Sequence, residues 1–160
     1  MMREKFKIHL VSRQRKVRVD KEKLRAAIQE LEAALDHEVP PNSEVSLVLL
    51  SDRGMQKLNR QYAGIDSTTD VLSFPLYDDG LMVEEEVGEL GDIFVSLETA
   101  LQQVGTKARY GHRLTTDLYE EVQLLVTHAV LHLLGHDHGE DEEREKMLDA
   151  EKRVIKRIRS

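Results

Sequence analysis

Two periods of hydrophobic and polar residues alternate along this chain, and the switches between them mark out its elements. Phe6, Ile8 and Leu10 alternate with Lys7 and His9, the period of a strand. Asp20 then stands where a helix N-cap belongs, and Leu24, Ile28, Leu31 and Leu35 recur at helical spacing as far as about Asp36. Pro40-Pro41-Asn42 forces a turn, after which Val45 and Leu47–Leu50 read as a buried strand. Ser51-Asp52 can cap a short helix carrying Met55, Leu58 and Tyr62. A loop over Gly64–Thr69 leads to a short strand, Val71–Phe74, stopped by Pro75. The acidic stretch from Tyr77 to Gly88 predicts a mobile loop, and Ile93–Val95 a further strand. Ser96 caps a helix with Leu97, Ala100, Leu101 and Val104, which Gly105 closes. Thr116 or Asp117 opens the next helix, and Asp117 with Glu120 has capping-box spacing. That helix is apolar nearly all round, which predicts a central buried position, and Gly135 ends it. A last helix from about Glu140 begins acidic and ends basic, matching the helix dipole.

This order predicts an α/β (α+β) layer fold, a small sheet covered by helices. With no internal repeat and no linker, the 160 residues form a single domain, 1–160. The absence of Trp and the scarcity of Phe and Tyr leave the core to Leu, Val, Ile and Ala. The absence of Cys excludes disulfides, a Cys nucleophile and Cys-type zinc sites. Met1–Leu10 is too charged for the apolar region of a signal peptide, and no later stretch is apolar for long enough to span a bilayer. The expectation is a soluble, cytoplasmic protein with no membrane partner. A net charge of −7 argues mildly against nucleic acid, but the cations are clustered: Arg13, Arg15, Lys16 and Arg18 in one run, Lys152, Arg153, Lys156, Arg157 and Arg159 in another.

Of seven histidines, four fall within His128–His138, which reads HAVLHLLGHDH. His128 and His132 are four apart, so both imidazoles project from one helix face, the spacing by which a helix offers two ligands to one metal. Gly135 permits a sharp exit that brings back a third imidazole, from His136 or His138. His138 is preferred. The spacing His128, His132, Gly135, His138 is that of the metzincin metalloproteases, and His136, one residue past the glycine, has less chain with which to turn back. Three protein ligands leave the fourth tetrahedral position open to water, the layout of a catalytic zinc, which lowers the pKa of bound water to about 7. Asp137 is a candidate to orient an imidazole. Metzincins carry a general-base Glu directly after the first His, and here that residue is Ala129. The lack of this base leans the reading away from peptide hydrolysis and toward a phosphodiester, where positioning and charge stabilisation weigh more.

These motifs resemble those of the YbeY family of bacterial rRNA maturation factors. HAVLHLLGHDH is similar to the family's H-G-x-L-H-L-x-G-Y-D-H signature, with Ala129 for Gly and His136 for Tyr. TDVLSFP (Thr69–Pro75) and GDIFVSLETA (Gly91–Ala100) match two further family motifs, in the family's order. The resemblance implies a zincin-like fold, with the Val71–Phe74 strand beside a metal cleft, and one zinc ion held by His128, His132 and His138. It implies a single-strand-specific endoribonuclease acting in 16S rRNA 3′-end maturation and ribosome quality control. The Tyr that relatives carry at position 136 supports His138 as the ligand. One departure stands out: many relatives have Arg where this chain has Ala63, and Arg60, three residues earlier on a similar helix face, is the candidate to contact phosphate instead.

Asp70 and Ser73 have plain readings as loop caps, Phe74 as core, Ser96 as a helix cap and Glu98 as a first-turn residue complementing the dipole. Two other functions share these features. One is a metalloprotease-like hydrolase, which the missing Glu disfavours. The other is a non-catalytic ribosome-assembly factor with a structural zinc, whose acidic charge suits small-subunit proteins or an assembly GTPase as partners. No residue is marked by the sequence as the general base.

Overall fold

The computed structural model describes residues 5–76, 88–106, 114–135 and 141–159. Nine elements follow one another among them: β1 (Lys7–Ser12), α1 (Lys21–Leu35), β2 (Glu44–Leu50), α2 (Asp52–Ala63), β3 (Val71–Pro75), β4 (Glu89–Ser96), α3 (Leu97–Gln103), α4 (Leu118–Leu133) and α5 (Asp141–Arg159). The expected acidic loop falls almost wholly on residues 77–87, outside the described ones.

The helix starts form as the cap residues require. Asp20 accepts from the amides of Glu22 and Lys23, Ser51 from Gly54, Ser96 from Thr99 and Asp117 from Glu120. Glu120 reaches back to the amide of Thr116, so the capping box closes one residue earlier than its usual partner. Gly64 ends α2 in the left-handed conformation.

The strands make one sheet in the order β1-β2-β4-β3. The first three are parallel, and β3 runs antiparallel along β4 as an edge strand. Strand alternation divides the core into two layers. Val45, Leu47 and Leu49 of β2, with Ile93 and Val95 of β4, face α1, α4 and Val154 of α5. Val48 and Leu50 face the other way, onto Met55 and Leu58 of α2 and Phe94 of β4. The sheet is therefore mixed and helix-covered on both faces, and α4 is the buried central helix that its composition predicts. At the opposite edge from β3, α1 reaches over β1: the amide of Phe6 donates to the Asp36 carboxylate at 2.9 Å and that of Ile8 to Glu32 at 2.8 Å.

β4 begins at Glu89, four residues before the expected strand: Gly91 interrupts the hydrophobic pattern, and the register with β2 shifts between Glu89 and Asp92, but the pairing with β3 runs through it. Gly91 lies opposite Pro75 with φ +153°, and a Cβ there would stand 2.3 Å from the carbonyl oxygen of Phe74. Gly91→Ala therefore combines backbone strain with displacement of β3, and is expected to lower the stability to urea by about 3 kcal/mol. A loss below about 1 kcal/mol would show that the β3–β4 pair yields easily.

α5 is fixed against α1 by ion pairs. Arg153 grips Glu38 through Nε and an η nitrogen at 3.2 and 2.8 Å, while Arg157 donates to Glu38 at 2.8 Å and to the Ala34 carbonyl at 3.0 Å. The Arg153 guanidinium, with Arg157, holds the Glu38 carboxyl below its ordinary pKa despite partial burial. Part of the C-terminal basic run is thus spent on structure. No helix among the described residues is long and apolar enough to cross a membrane.

Candidate metal centre

The apolar body of α4 sets the position of its two histidines. Val122, Leu125, Val126, Ala129, Val130 and Leu133 are buried against the sheet and α1, which fixes the rotation of the helix about its axis. His128 and His132 then emerge one turn apart on the side that faces β3. Their ring centroids lie 4.7 Å apart, with 80° between the ring planes. With Asp70, Val71, Leu72, Ser73 and Ala129 they line a depression of about 340 Å³ along the edge strand.

The two imidazoles are held differently. His132 is exposed. His128 is only 12% exposed, and its Nδ1 lies 2.8 Å from Oε1 of Glu151, a side chain with no exposure at all. A carboxylate that accepts from Nδ1–H directs the other ring nitrogen, Nε2, toward metal binding, and this pairing of a buried carboxylate with an imidazole is the usual way a metal-ligating histidine is oriented. Two imidazoles at this spacing, one beside a buried carboxylate, fit a zinc ion.

Glu151, which holds a candidate ligand, is not picked out by the motif reading, although α5 does carry a signal for it. Met147, Ala150, Val154 and Ile155 form the buried stripe of α5, and Glu151 sits within that stripe. A charged residue on an apolar face needs a partner, and His128 is one at 2.8 Å.

Gly135 has φ +92°, the left-handed exit the sequence predicts. His136, Asp137 and His138 lie outside the described residues. Among the described residues no group of three or more His, Asp or Glu side chains is placed to hold a metal ion.

The residues around the depression have structural roles that stabilise its wall. Asp70 accepts from the amide of Val71 at 2.7 Å, and its carbonyl accepts from the Ser96 amide at 2.9 Å. Asp52 accepts from the hydroxyls of Ser96 and Thr99, each at 2.6 Å, and of Thr68 at 3.4 Å. Partial burial pushes the Asp52 carboxyl up, but those hydroxyls outweigh it and hold the group below its ordinary value. Glu98 stands in the first turn of α3, as expected, and also accepts from the Asp52 amide at 3.0 Å at the start of α2. Phe74 stacks edge-on between Tyr62 and Phe94, with centroids 5.4 and 5.7 Å away. Arg60, in the last turn of α2, is exposed and 4.0 Å from Asp66; it does not line the depression.

A family model described as endoribonuclease YbeY matches residues 9–159. The endoribonuclease YbeY of Clostridioides difficile (strain 630) is 39% identical over 151 residues, covering 93% of this chain and 94% of the relative. That of Carboxydothermus hydrogenoformans is 42% identical over 142 residues, covering 89% and 90%. The solution structure of TM1509 from Thermotoga maritima matches with a TM-score of 0.60 and 25% identity, over 94% of this chain and 88% of that one. The mixed sheet, its antiparallel edge strand and the central helix are those of a zincin-like fold. With a family model spanning nearly its whole length and relatives of this similarity, the chain belongs to the endoribonuclease YbeY family.

Proposed function

We propose that this protein is a single-strand-specific, zinc-dependent endoribonuclease that acts in 16S rRNA 3′-end maturation and ribosome quality control. The observation that carries the reading is the pair His128 and His132 on a depression beside an edge strand, with His128 locked by buried Glu151. His138, three residues past Gly135, completes the ligand set in this reading. A zinc ion held there supplies Lewis acidity toward water and toward a phosphate oxygen. The chain's own contribution is positioning. The outer edge of β3, which no strand among the described residues pairs, and the Ser73 hydroxyl form a wall along which a single strand can lie with its phosphate near the imidazoles. Ala129, 2% exposed, occupies the position at which a metalloprotease has its general-base Glu, so peptide hydrolysis is disfavoured. The protein is expected to work in the cytoplasm on the small ribosomal subunit, in contact with its proteins and with an assembly GTPase. Arg60 is exposed and remains the proposed phosphate contact in place of an Arg at position 63.

The test is cleavage of a single-stranded RNA spanning the 16S rRNA 3′ end by zinc-loaded protein, by the same protein after chelation, and after zinc is restored. Cleavage is expected in the first and third samples only. Equal cleavage in all three, or in none, overturns the reading. In the same assay Arg60→Ala is expected to weaken RNA affinity several-fold, by about 1 kcal/mol; unchanged affinity removes Arg60 from the site.

A further inference from the structure

The two basic runs, alike in sequence, differ in the structure. In the C-terminal run Arg153 and Arg157 are taken up by Glu38, and Arg159 lies 3.7 Å from Glu120. In the other run Arg13, Arg15, Lys16 and Arg18 are all exposed, and none pairs with an acid among the described residues. From Ser12 to Val19 the chain reads SRQRKVRV, four cations and no acid, in a protein of net charge −7.

The loop that carries them is built rather than loose. Gln14 bonds both polar groups of the Val17 backbone, accepting from its amide at 2.9 Å and donating to its carbonyl at 3.1 Å. Val17 and Val19 pack on the main core, the Arg13 amide donates to Leu49 at 2.8 Å, and the amide of Asp20 donates to the Tyr119 hydroxyl of α4. Ser12, Arg13, Gln14, Arg15, Lys16 and Ser51 surround a depression of about 590 Å³, which the N-terminus of α2 adjoins at Ser51.

The loop follows β1, at the opposite edge of the sheet from the histidine cleft, but at the same end, where the parallel strands finish and β3 begins. Ser12, Leu50 and Ser96 end the three parallel strands, and Asp70, which starts the cleft wall, bonds Ser96. Three strand spacings separate β1 from β3, about 14 Å. Along α4, the nine residues from Tyr119 to His128 rise a similar distance, about 13 Å. The span between basic loop and cleft is therefore roughly 15–20 Å, within what a single strand of about 4–16 nucleotides covers on a binding domain. Of the acids between them, Asp52 has its carboxylate turned to the hydroxyls of Ser96, Thr99 and Thr68, Glu98 accepts from the Asp52 amide, and Asp70 accepts from that of Val71.

We infer that the Arg13–Arg18 loop is a second RNA-binding surface, which grips the phosphate backbone of a single strand at a distance from the histidine cleft. The inference deepens the nuclease reading and rests on it. The surface gives affinity and register without reading bases, since phosphate contacts are independent of sequence.

The test compares the zinc-loaded wild type with the variant Arg13→Gln, Arg15→Gln, Lys16→Gln, Arg18→Gln, and with the milder Arg15→Gln, Lys16→Gln pair in case the fourfold variant unfolds. Binding of a 2′-O-methylated single-stranded oligouridylate of about 20 nucleotides is followed by fluorescence anisotropy across a salt series. Each phosphate contact contributes about −0.7 to the slope of log affinity against log salt, so the fourfold variant is expected to lose up to about 2.8 of slope and the pair about half of that. Affinity at low salt should fall at least tenfold in the fourfold variant, while cleavage of an RNA too short to reach the loop stays at the wild-type rate. A wild type that binds and cleaves RNA, beside variants with unchanged affinity and slope, overturns this surface alone. A wild type that neither binds nor cleaves single strands overturns the nuclease reading beneath it.

Discussion

His132→Ala is expected to abolish zinc-dependent cleavage of single-stranded RNA while leaving the protein folded. The side chain is exposed, so its removal opens no cavity. Ala is the better helix former, and Leu131 and Leu133 on either side stay buried, so α4 keeps its place. What is lost is one of two imidazoles whose rings stand 4.7 Å apart. With a ligand missing, a zinc site loses both occupancy and geometry, and the rate should fall on the order of 10³-fold, about 4 kcal/mol of barrier. Competition against a chromophoric chelator should show a matching loss of zinc affinity, and thermal unfolding in the presence of chelator should be unchanged. A variant that no longer holds zinc yet cleaves RNA at the wild-type rate would place the chemistry elsewhere.

Glu151→Gln should weaken zinc binding by about 10–100-fold, although Glu151 is not itself expected to touch the metal. Gln keeps the size of the side chain and an oxygen that can accept from Nδ1 of His128, so packing among Met147, Ala150, Val154 and Ile155 survives. It loses the charge that fixes the tautomer and makes Nε2 a better donor. The readout that separates positioning from mere packing is a split: zinc affinity falls, while unfolding of the metal-free protein stays at the wild-type midpoint or rises, since a buried charge has been removed. Glu151→Asp, which keeps the charge on a shorter arm, should recover part of the affinity. Equal loss of stability and affinity in Gln and Asp variants would reduce Glu151 to a packing residue.

Local signals were legible wherever a single residue does a local task. Asp20, Ser51, Ser96 and Asp117 cap the helices they precede, and Gly64, Gly105 and Gly135 all adopt positive φ where helices end. That His128 and His132 share one helix face could be read because four-residue spacing fixes a shared face whatever surrounds it. Pairings between distant elements were not legible. Glu151 is 23 residues from His128, and Glu98 is 46 from the amide it accepts; only the packing of α5 on α4, and of α3 beside α2, brings them together. Nor does a run of cations declare its partners. Whether Arg153 or Arg15 is neutralised depends on where Glu38 falls in space, 115 residues from Arg153.

The reach of α1 over β1 bears on how the protein behaves when it is crowded. A sheet of four strands has two ends at which another chain could continue the ladder. At one of them, the carboxylates of Asp36 and Glu32 occupy the outward amides of Phe6 and Ile8, and beyond Ser12 the cations of the basic loop begin. An incoming strand would have to displace the acids at one end of β1 and desolvate like charges at the other, so this edge resists aggregation. Among the described residues no such guard stands on β3, the other end of the sheet, and the proposed path of the substrate runs along it.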